Sequence, residues 1–324
     1  MPRGRKAVIS LAYGLHVFCK RHFLHFFEKR VRRTVRENRM VRGREKIVVA
    51  CSGGKDSGTA LFLMKKIFGK SNPVEALLID EGIPRYRDRA LAIAKRNCKK
   101  WEIKCKVVSF KKEFGFTMVD VMRKTGEAKR LGSTCAFCGV LRRRIMDKYA
   151  KKMGAGKLAT GHNLDDEAQS ILMNIFGADL THYARLGPIS GEGGKHGFVP
   201  TAQFSQGFLR QQKGFVPRIK PLYLCPEKEV IAFAQFSGIE YYGRQCCPFK
   251  WQAKRNDFRA MLGDFEAKYP GTLFSIMRFF QQTKQGVLQS EPNGAKIRAC
   301  EKCGEPCSGK VCRVCAQIGM LGGK

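Results

Sequence analysis

The apolar run Ile47-Val48-Val49-Ala50 leads without a break into Cys51-Ser52-Gly53-Gly54-Lys55-Asp56-Ser57, and a helical pattern follows from Gly58 to Phe68. A buried strand feeding a glycine-rich loop and then a helix builds a phosphate cradle. The glycines allow a tight turn that points successive N–H groups inward, the helix N-terminus adds partial positive charge, and Lys55 adds a full one. The spacing is not that of the Walker A loop, which needs four residues between its glycines. Beyond Lys46, short β-branched runs alternate with helical stretches. Strands are expected at 47–51, 74–80, 103–109 and 157–160, and helices at 58–68, 86–100, 139–153, 165–176, 226–236 and 251–268. That alternation predicts an α/β fold with a doubly wound, mostly parallel sheet. A glycine-rich stretch at 187–217, with the echo Gly197-Phe198-Val199-Pro200 and Gly214-Phe215-Val216-Pro217, reads as a long surface loop.

Charge narrows the partner. The 324 residues hold 61 Lys and Arg against 27 Asp and Glu, a net +34. Such an excess self-repels unless a polyanion offsets it, and ATP alone is too small. Nucleic acid fits, with binding that falls steeply as salt rises. The first 46 residues carry 14 Lys and Arg and three acids. Within them, 22–42 reads as an amphipathic helix with Phe23, Phe27, Val31 and Val35 on one face and arginines over the other, the candidate RNA contact. Arg3, Arg5 and Lys6 precede an apolar stretch, but Lys20-Arg21-His22 follows in place of a cleavage site, so no export signal and no membrane span is expected. The organisation is a basic N-terminal extension over 1–45, a catalytic domain over 46–285 and a C-terminal unit over 286–324.

Six of the fourteen cysteines fall in three Cys-x-x-Cys pairs, which suits metal or redox chemistry in a reducing cytoplasm better than a disulfide scaffold. Cys300-x-x-Cys303 and Cys312-x-x-Cys315 have ribbon spacing, and a structural Zn²⁺ is the expected occupant, with Cys307 as a spare thiol. Cys19-x-x-His22 is half of such a ribbon whose other half has no thiols upstream, so no N-terminal zinc is expected. Cys135-Ala136-Phe137-Cys138, next to Arg142-Arg143-Arg144, is open among zinc, a redox dithiol and an iron–sulfur cluster. A third ligand would come from Cys246-Cys247-Pro248. Three thiolates on a 4Fe–4S cluster leave one iron open to exogenous sulfide, whereas a metal-free pair would cycle through persulfide and disulfide. Gly161-His162-Asn163-Leu164-Asp165-Asp166-Glu167 opens a helix after a predicted strand. Its acids complement the helix dipole, or reach the phosphate crevice, where Asp165 and Asp166 suit Mg²⁺.

Taken in order, these motifs, with Asp80-Glu81-Gly82-Ile83 and Arg218-Ile219-Lys220-Pro221-Leu222, resemble the tRNA 2-thiouridine synthetases of archaea and the eukaryotic cytoplasm, members of the ATP pyrophosphatase (PP-loop) superfamily. The likeness runs over about 20–280, and the terminal ribbon extends it. It implies ATP-dependent adenylation of the uracil C2 oxygen and its replacement by sulfur. It implies a 4Fe–4S cluster on Cys135, Cys138 and Cys247, sulfur from a ubiquitin-like carrier or a sulfide donor, and a homodimer. The implied catalytic residues are those three cysteines with Arg142 and Asp166. The implied nucleotide-binding residues are Ser52, Gly53, Gly54, Lys55, Asp56, Ser57, Asp80, Gly161, Asp165 and Asp166. Two subgroups share this plan, one acting on the wobble uridine and one on a T-loop uridine. Tyr86-Arg87, Phe137 between the paired cysteines, and Arg185-Leu186-Gly187-Pro188 are more similar to the wobble group. Competing readings are cytidine thiolation, lysidine formation or amidation on the same loop, and a non-enzymatic zinc-containing RNA-binding protein. The ending Leu321-Gly322-Gly323-Lys324 is read as a chance likeness to ubiquitin-like tails.

Overall fold

The computed structural model describes residues 6–14, 16–127, 133–191, 215–243, 247–249, 253–290 and 298–321. Most of the 187–217 loop, Cys246, Arg3, Arg5 and 322–324 lie outside them. The chain opens with a hairpin, β1 (Ile9–Leu11) and β2 (His16–Phe18), followed by α1 (Lys20–Glu37). Then come β3 (Ile47–Ala50), α2 (Lys55–Phe68), β4 (Val74–Asp80), α3 (Arg87–Lys100), β5 (Cys105–Ser109), α4 (Phe110–Phe114), α5 (Met118–Glu127), α6 (Thr134–Lys152), β6 (Lys157–Ala159) and α7 (Leu164–Phe176). The remainder is α8 (Leu180–Ala184), β7 (Ile189–Ser190), β8 (Arg218–Ile219), α9 (Glu227–Phe236), α10 (Arg255–Lys268), α11 (Thr272–Ser290), β9 (Arg298–Ala299), β10 (Pro306–Cys307) and α12 (Arg313–Met320).

The central sheet runs β5-β4-β3-β6-β8-β7, parallel throughout except for β7 against β8. Side chains alternate across it, as strand geometry requires. Ile47 and Val49 pack with Phe27, Leu61, Met64 and Phe233 on one face, while Val48 joins Leu77, Leu141, Ile145 and Leu158 on the other. Burial on both faces is why these strands are continuously apolar. A third core, Leu164, Ile171, Tyr183, Leu262, Leu273, Met277 and Phe280, holds α7, α8, α10 and α11 together. From β3 the chain winds outward through β4 and β5, then returns to place β6 on the other side of β3. The carboxyl ends of β3 and β6 therefore flank the switch point, where α/β sheets bind ligands.

Four expectations change in detail. The helix expected at 139–153 begins at Thr134, because Ser133 caps it by accepting from Ala136 N at 3.3 Å. The strand expected from 103 begins at Cys105. The N-terminal extension is tied into the main body: Arg30 is buried, paired with Glu229 of α9 at 2.9 Å, and donates to Tyr13 Oη at 2.5 Å. Arg30 therefore does not belong to the solvent-facing arginines of α1. The helix α11 continues to Ser290, past the 285 border drawn from sequence. Among the described residues no helix is long and apolar enough to cross a membrane.

Candidate active site

The glycine loop sits where the switch point demands. Gly53 adopts φ +84°, and a Cβ there would lie 2.1 Å from Ala90 O, so a side chain is excluded twice over. Gly54 caps α2, so Lys55, Asp56 and Ser57 form its first turn rather than a loop before it. Ser57 Oγ accepts from Ser52 N at 3.0 Å, donates to Gly54 O at 3.2 Å and lies 3.0 Å from Ser52 Oγ, which locks the turn. Lys55 Nζ is held between Asp56 (2.9 Å) and Glu227 (2.6 Å). The loop after β6 packs directly on this turn: a Cβ on Gly161 would lie 2.7 Å from Ser57 N. Asn163 Nδ2 donates to Asp56 Oδ1 at 2.9 Å.

The acids of the second loop hold local structure as well as facing this site. Asp166 and Asn163 form a reciprocal capping box at the start of α7, and Asp165 Oδ2 accepts from Glu227 N at 2.7 Å. Burial, opposed by the Glu227 N–H, and the like charges of Glu227 and Asp166 push Asp165 up to about 6. Asp56 and Glu227 thus hold the one lysine, while Asp165 and Asp166 are engaged at the start of α7 and by Glu227 N, and among the described residues these carboxylates do not converge as a ready-made metal cluster. Asp80 ends β4 and accepts from Gly82 N at 2.9 Å.

The cysteines lie at the same edge of the sheet. Cys135 and Cys138 occupy the first turn of α6, three residues apart and so on one face. Cys135 Sγ donates to Phe249 O at 3.3 Å, which brings the Cys247 segment against the helix start. Upstream of it in the chain, Tyr242 touches the glycine loop, its N–H donating to Gly53 O at 2.9 Å and its ring packing on Tyr86 at 5.7 Å. Burial pushes the Cys138 thiol up to about 12 and raises Cys135 and Cys247. Three thiols beside the Arg142 guanidinium suit an anionic iron–sulfur cluster, whose iron would supply the charge needed to deprotonate them. His162 donates to or accepts from Thr160 Oγ1 at 2.9 Å; desolvation and the cations Lys220, Arg255, Arg142 and Arg218 keep it neutral at pH 7.

One buried relay joins the two halves, and its central pair, Arg87 and Glu81, has no site role assigned from the sequence. Arg87 Nη1 donates to Ser52 O at 2.7 Å and its Nε to Ile79 O at 2.6 Å, while Nε also pairs with Glu81 at 2.6 Å. Glu81 in turn faces Arg142 Nε at 3.3 Å. Glycine loop, β4 end and cysteine helix are thereby held at set distances.

Comparison with known proteins agrees with this geometry. A family model described as the PP-loop domain matches residues 21–262. The tRNA 2-thiolation protein NcsA of Haloferax volcanii is 35% identical over 97% of this chain and 96% of its own. The chain belongs to the PP-loop family of tRNA-thiolating sulfurtransferases. The tRNA-5-methyluridine(54) 2-sulfurtransferase of Pyrococcus horikoshii is 33% identical, over 98% of this chain and 92% of its own. The U34-tRNA thiolase NcsA from Methanococcus maripaludis, solved with its [4Fe-4S] cluster, superposes with a TM-score of 0.77 at 26% identity, over 100% of this chain and 96% of that one.

In this PP-loop protein the C-terminal unit is built on the cysteine helix. The thiols of Cys300, Cys303, Cys312 and Cys315 all lie within 4.8 Å of one another, and Cys307 turns away to donate to Gly309 O at 2.9 Å. Cys312 N donates to Cys300 Sγ at 3.2 Å, and backbone donors led by this one draw the Cys300 thiol down to about 6. Four thiols so placed fit a tetrahedral metal. Leu321 and Val314 join the core of α6, Glu305 pairs with Arg144 at 2.9 Å, and Lys124 donates to Leu321 O.

Proposed function

We propose that this PP-loop sulfurtransferase acts on the wobble uridine of tRNA, using ATP to activate the uracil C2 oxygen. The observation that carries the reading is the shared crevice: the glycine loop and the cysteine trio open on one sheet edge, joined through Ser52, Arg87, Glu81 and Arg142. The N–H groups of 52–57 and Lys55 hold the pyrophosphate of ATP, Asp165 and Asp166 carry Mg²⁺, and Asp80 lies toward the nucleoside. The uracil oxygen attacks the α-phosphate and pyrophosphate leaves. Sulfur then bonds to C2, the C2–O bond breaks, and AMP departs with the oxygen. Arg142 and Asp166 flank the base. When bound on Cys135, Cys138 and Cys247, a 4Fe–4S cluster supplies an open iron for sulfide. Sulfur comes from a carrier thiocarboxylate or a sulfide donor, and Zn²⁺ fills the terminal four-cysteine site.

The wobble position is supported by Asp80-Glu81-Gly82-Ile83, Tyr86-Arg87 and Arg185–Pro188, and by the likeness to the U34 thiolase. Mass spectrometry of tRNA nucleosides from a deletion strain tests it. Loss of the 2-thio group at the wobble uridine is expected; loss at a T-loop uridine instead would reassign the target. No change in any thiolated base, together with no tRNA-stimulated AMP release by anaerobically reconstituted protein, would remove the enzymatic reading. A homodimer is supported by an exposed apolar face on α7, α8, α10 and α11, where Ile175, Phe176, Leu180, Phe265, Tyr269 and Phe279 are 46–72% exposed.

A further inference from the structure

The triplet Arg142-Arg143-Arg144 spans almost one helical turn, so its three side chains point in three directions. Arg142 faces Glu81 at the cysteine pocket, and Arg144 is bound to Glu305 of the ribbon at 2.9 Å. Arg143 has neither tie: among the described residues it forms no ion pair. The acid nearest to it, Asp147, is engaged by Arg218 at 2.7 Å. Its guanidinium folds back over Gly139, 3.4 Å from where a Cβ would stand, and so lies beside the turn that carries Cys138. Arg218 leans on the same turn, donating to Arg143 O at 3.4 Å. From the ribbon side comes Arg313, the first residue of α12, exposed and also without an ion pair among the described residues. Arg143 remains exposed to solvent; partial desolvation against its helix turn, then the like charges of Arg218 and Arg313, pull it below the usual arginine range.

Crowding three guanidiniums with one carboxylate between them is unfavourable unless an anion completes the group. Guanidinium forks match phosphate oxygens two at a time, which suits such a cluster to a phosphodiester better than to a point charge. The position selects which phosphodiester. Resting on our reading of the chain as a tRNA sulfurtransferase, we infer that Arg143, Arg218 and Arg313 clamp a backbone phosphate of the substrate RNA next to the nucleotide that enters the cysteine pocket. The ribbon then contributes a ligand group as well as cover, and the solvent-facing arginines of α1 are a separate contact. Phosphate contacts of this kind set register and carry no sequence information.

Fluorescence anisotropy with labelled tRNA over a KCl series tests the clamp. Arg143→Ala and Arg313→Ala should each weaken binding about tenfold, as loss of a charge-assisted hydrogen bond does. Each should also flatten the salt slope by about 0.7–0.9. Arg143→Lys, which keeps the charge but not the fork, should keep the wild-type salt slope while recovering only part of the affinity, and it guards against a folding defect. Iron content and ATP affinity should match wild type, and Lys99→Ala, at the far end of α3, gives the effect of merely removing a charge. If Arg143→Ala or Arg313→Ala matches Lys99→Ala in affinity and slope, the clamp is wrong. If both lose affinity as expected but wild type shows no tRNA-stimulated AMP release and the deletion strain keeps every thiolated base, the clamp stands and the proposed function falls.

Discussion

Arg87 and Glu81 illustrate what a single residue contributes here. Both charges are buried, and each is stabilised only by the other and by neighbours that belong to different halves of the site. Both lie in motifs that carry the family resemblance, but their structural task is not legible there, because a lone Arg or Glu beside a strand end has the composition of ordinary surface. Asp165 was legible as a candidate metal ligand, yet its second engagement, accepting from Glu227 N, depends on a segment sixty residues away. Its raised pKa has a testable sign. Asp165 ionises near 6 in the folded chain, against an ordinary value of 3.8, so it binds its proton more tightly folded than unfolded. Stability from that proton is present below about pH 4 and lost as pH rises to about 6. Asp165→Asn should therefore stabilise the magnesium-free protein at pH 7.5 by on the order of 1–3 kcal/mol. That gain should shrink as pH falls from 6 toward 4, while Mg–ATP binding weakens at every pH. Thermal melts of both proteins at pH 5 and 7.5 check it, and an Asn variant less stable at pH 7.5 would mean the carboxylate is not strained.

At the scale of elements, β3, β4 and β6 were readable because strands buried on both faces are continuous apolar runs. β8 was not: two residues, Arg218 and Ile219, are too few to show a period. α11 carries Leu273, Met277 and Phe280 at helical spacing, but the exposed Phe279 and half-buried Phe274 and Ile276 blur its face. α2 and α6 begin earlier than their patterns suggest: glycine closes each starting stretch, Lys-Asp-Ser-Gly and Thr-Cys-Ala-Phe-Cys-Gly, and α6 has the Ser133 cap while Gly54 gives α2 no side-chain cap bond. The ribbon was legible from cysteine spacing alone, since metal ligation imposes the spacing. Its docking was not, and that docking makes a prediction. β9, β10 and α12 are too small for a core of their own, so a metal on the four thiols, worth about 10–16 kcal/mol in isolated finger peptides, would be expected to order them together with their docking on α6. Cys312→Ser should remove one metal ion per chain by elemental analysis and raise hydrogen exchange over 298–321. The rise should extend to the ribbon-facing turns of α6 beyond Leu141 and spare β3 and β4. Metal content or protection unchanged in the variant would mean the four thiols are not a metal site.

At the scale of the whole molecule, two surfaces of opposite character share one chain. With a net +34, two copies repel each other over several ångströms of solution, and any face they share must be depleted of charge. Residues 168–178 contain no Asp, Glu, Lys or Arg, and 269–283 contain only Arg278, in a chain that is 27% charged. These two segments border a groove of about 900 Å³ between α1, α7 and α11, where Ile175, Tyr269 and Phe279 are exposed. Arg30, Arg33 and Arg278 also line this groove, so a dimer that buries its aromatic surface against a symmetric copy, favourable at roughly 25 cal/mol per Å², must keep the exposed Arg33 and Arg278 at the rim of the shared face. Salt separates the two surfaces. Raising KCl screens the repulsion between copies and should favour the dimer, while it releases tRNA by counterion competition. Light scattering at 0.1 and 0.5 M KCl should show a dimer that persists or strengthens as tRNA affinity collapses. Phe176→Glu with Phe279→Glu should then give a monomer that still binds nucleotide. A wild-type monomer at both salts would exclude the dimer, and a double variant that keeps its mass but loses tRNA would assign the groove to RNA instead.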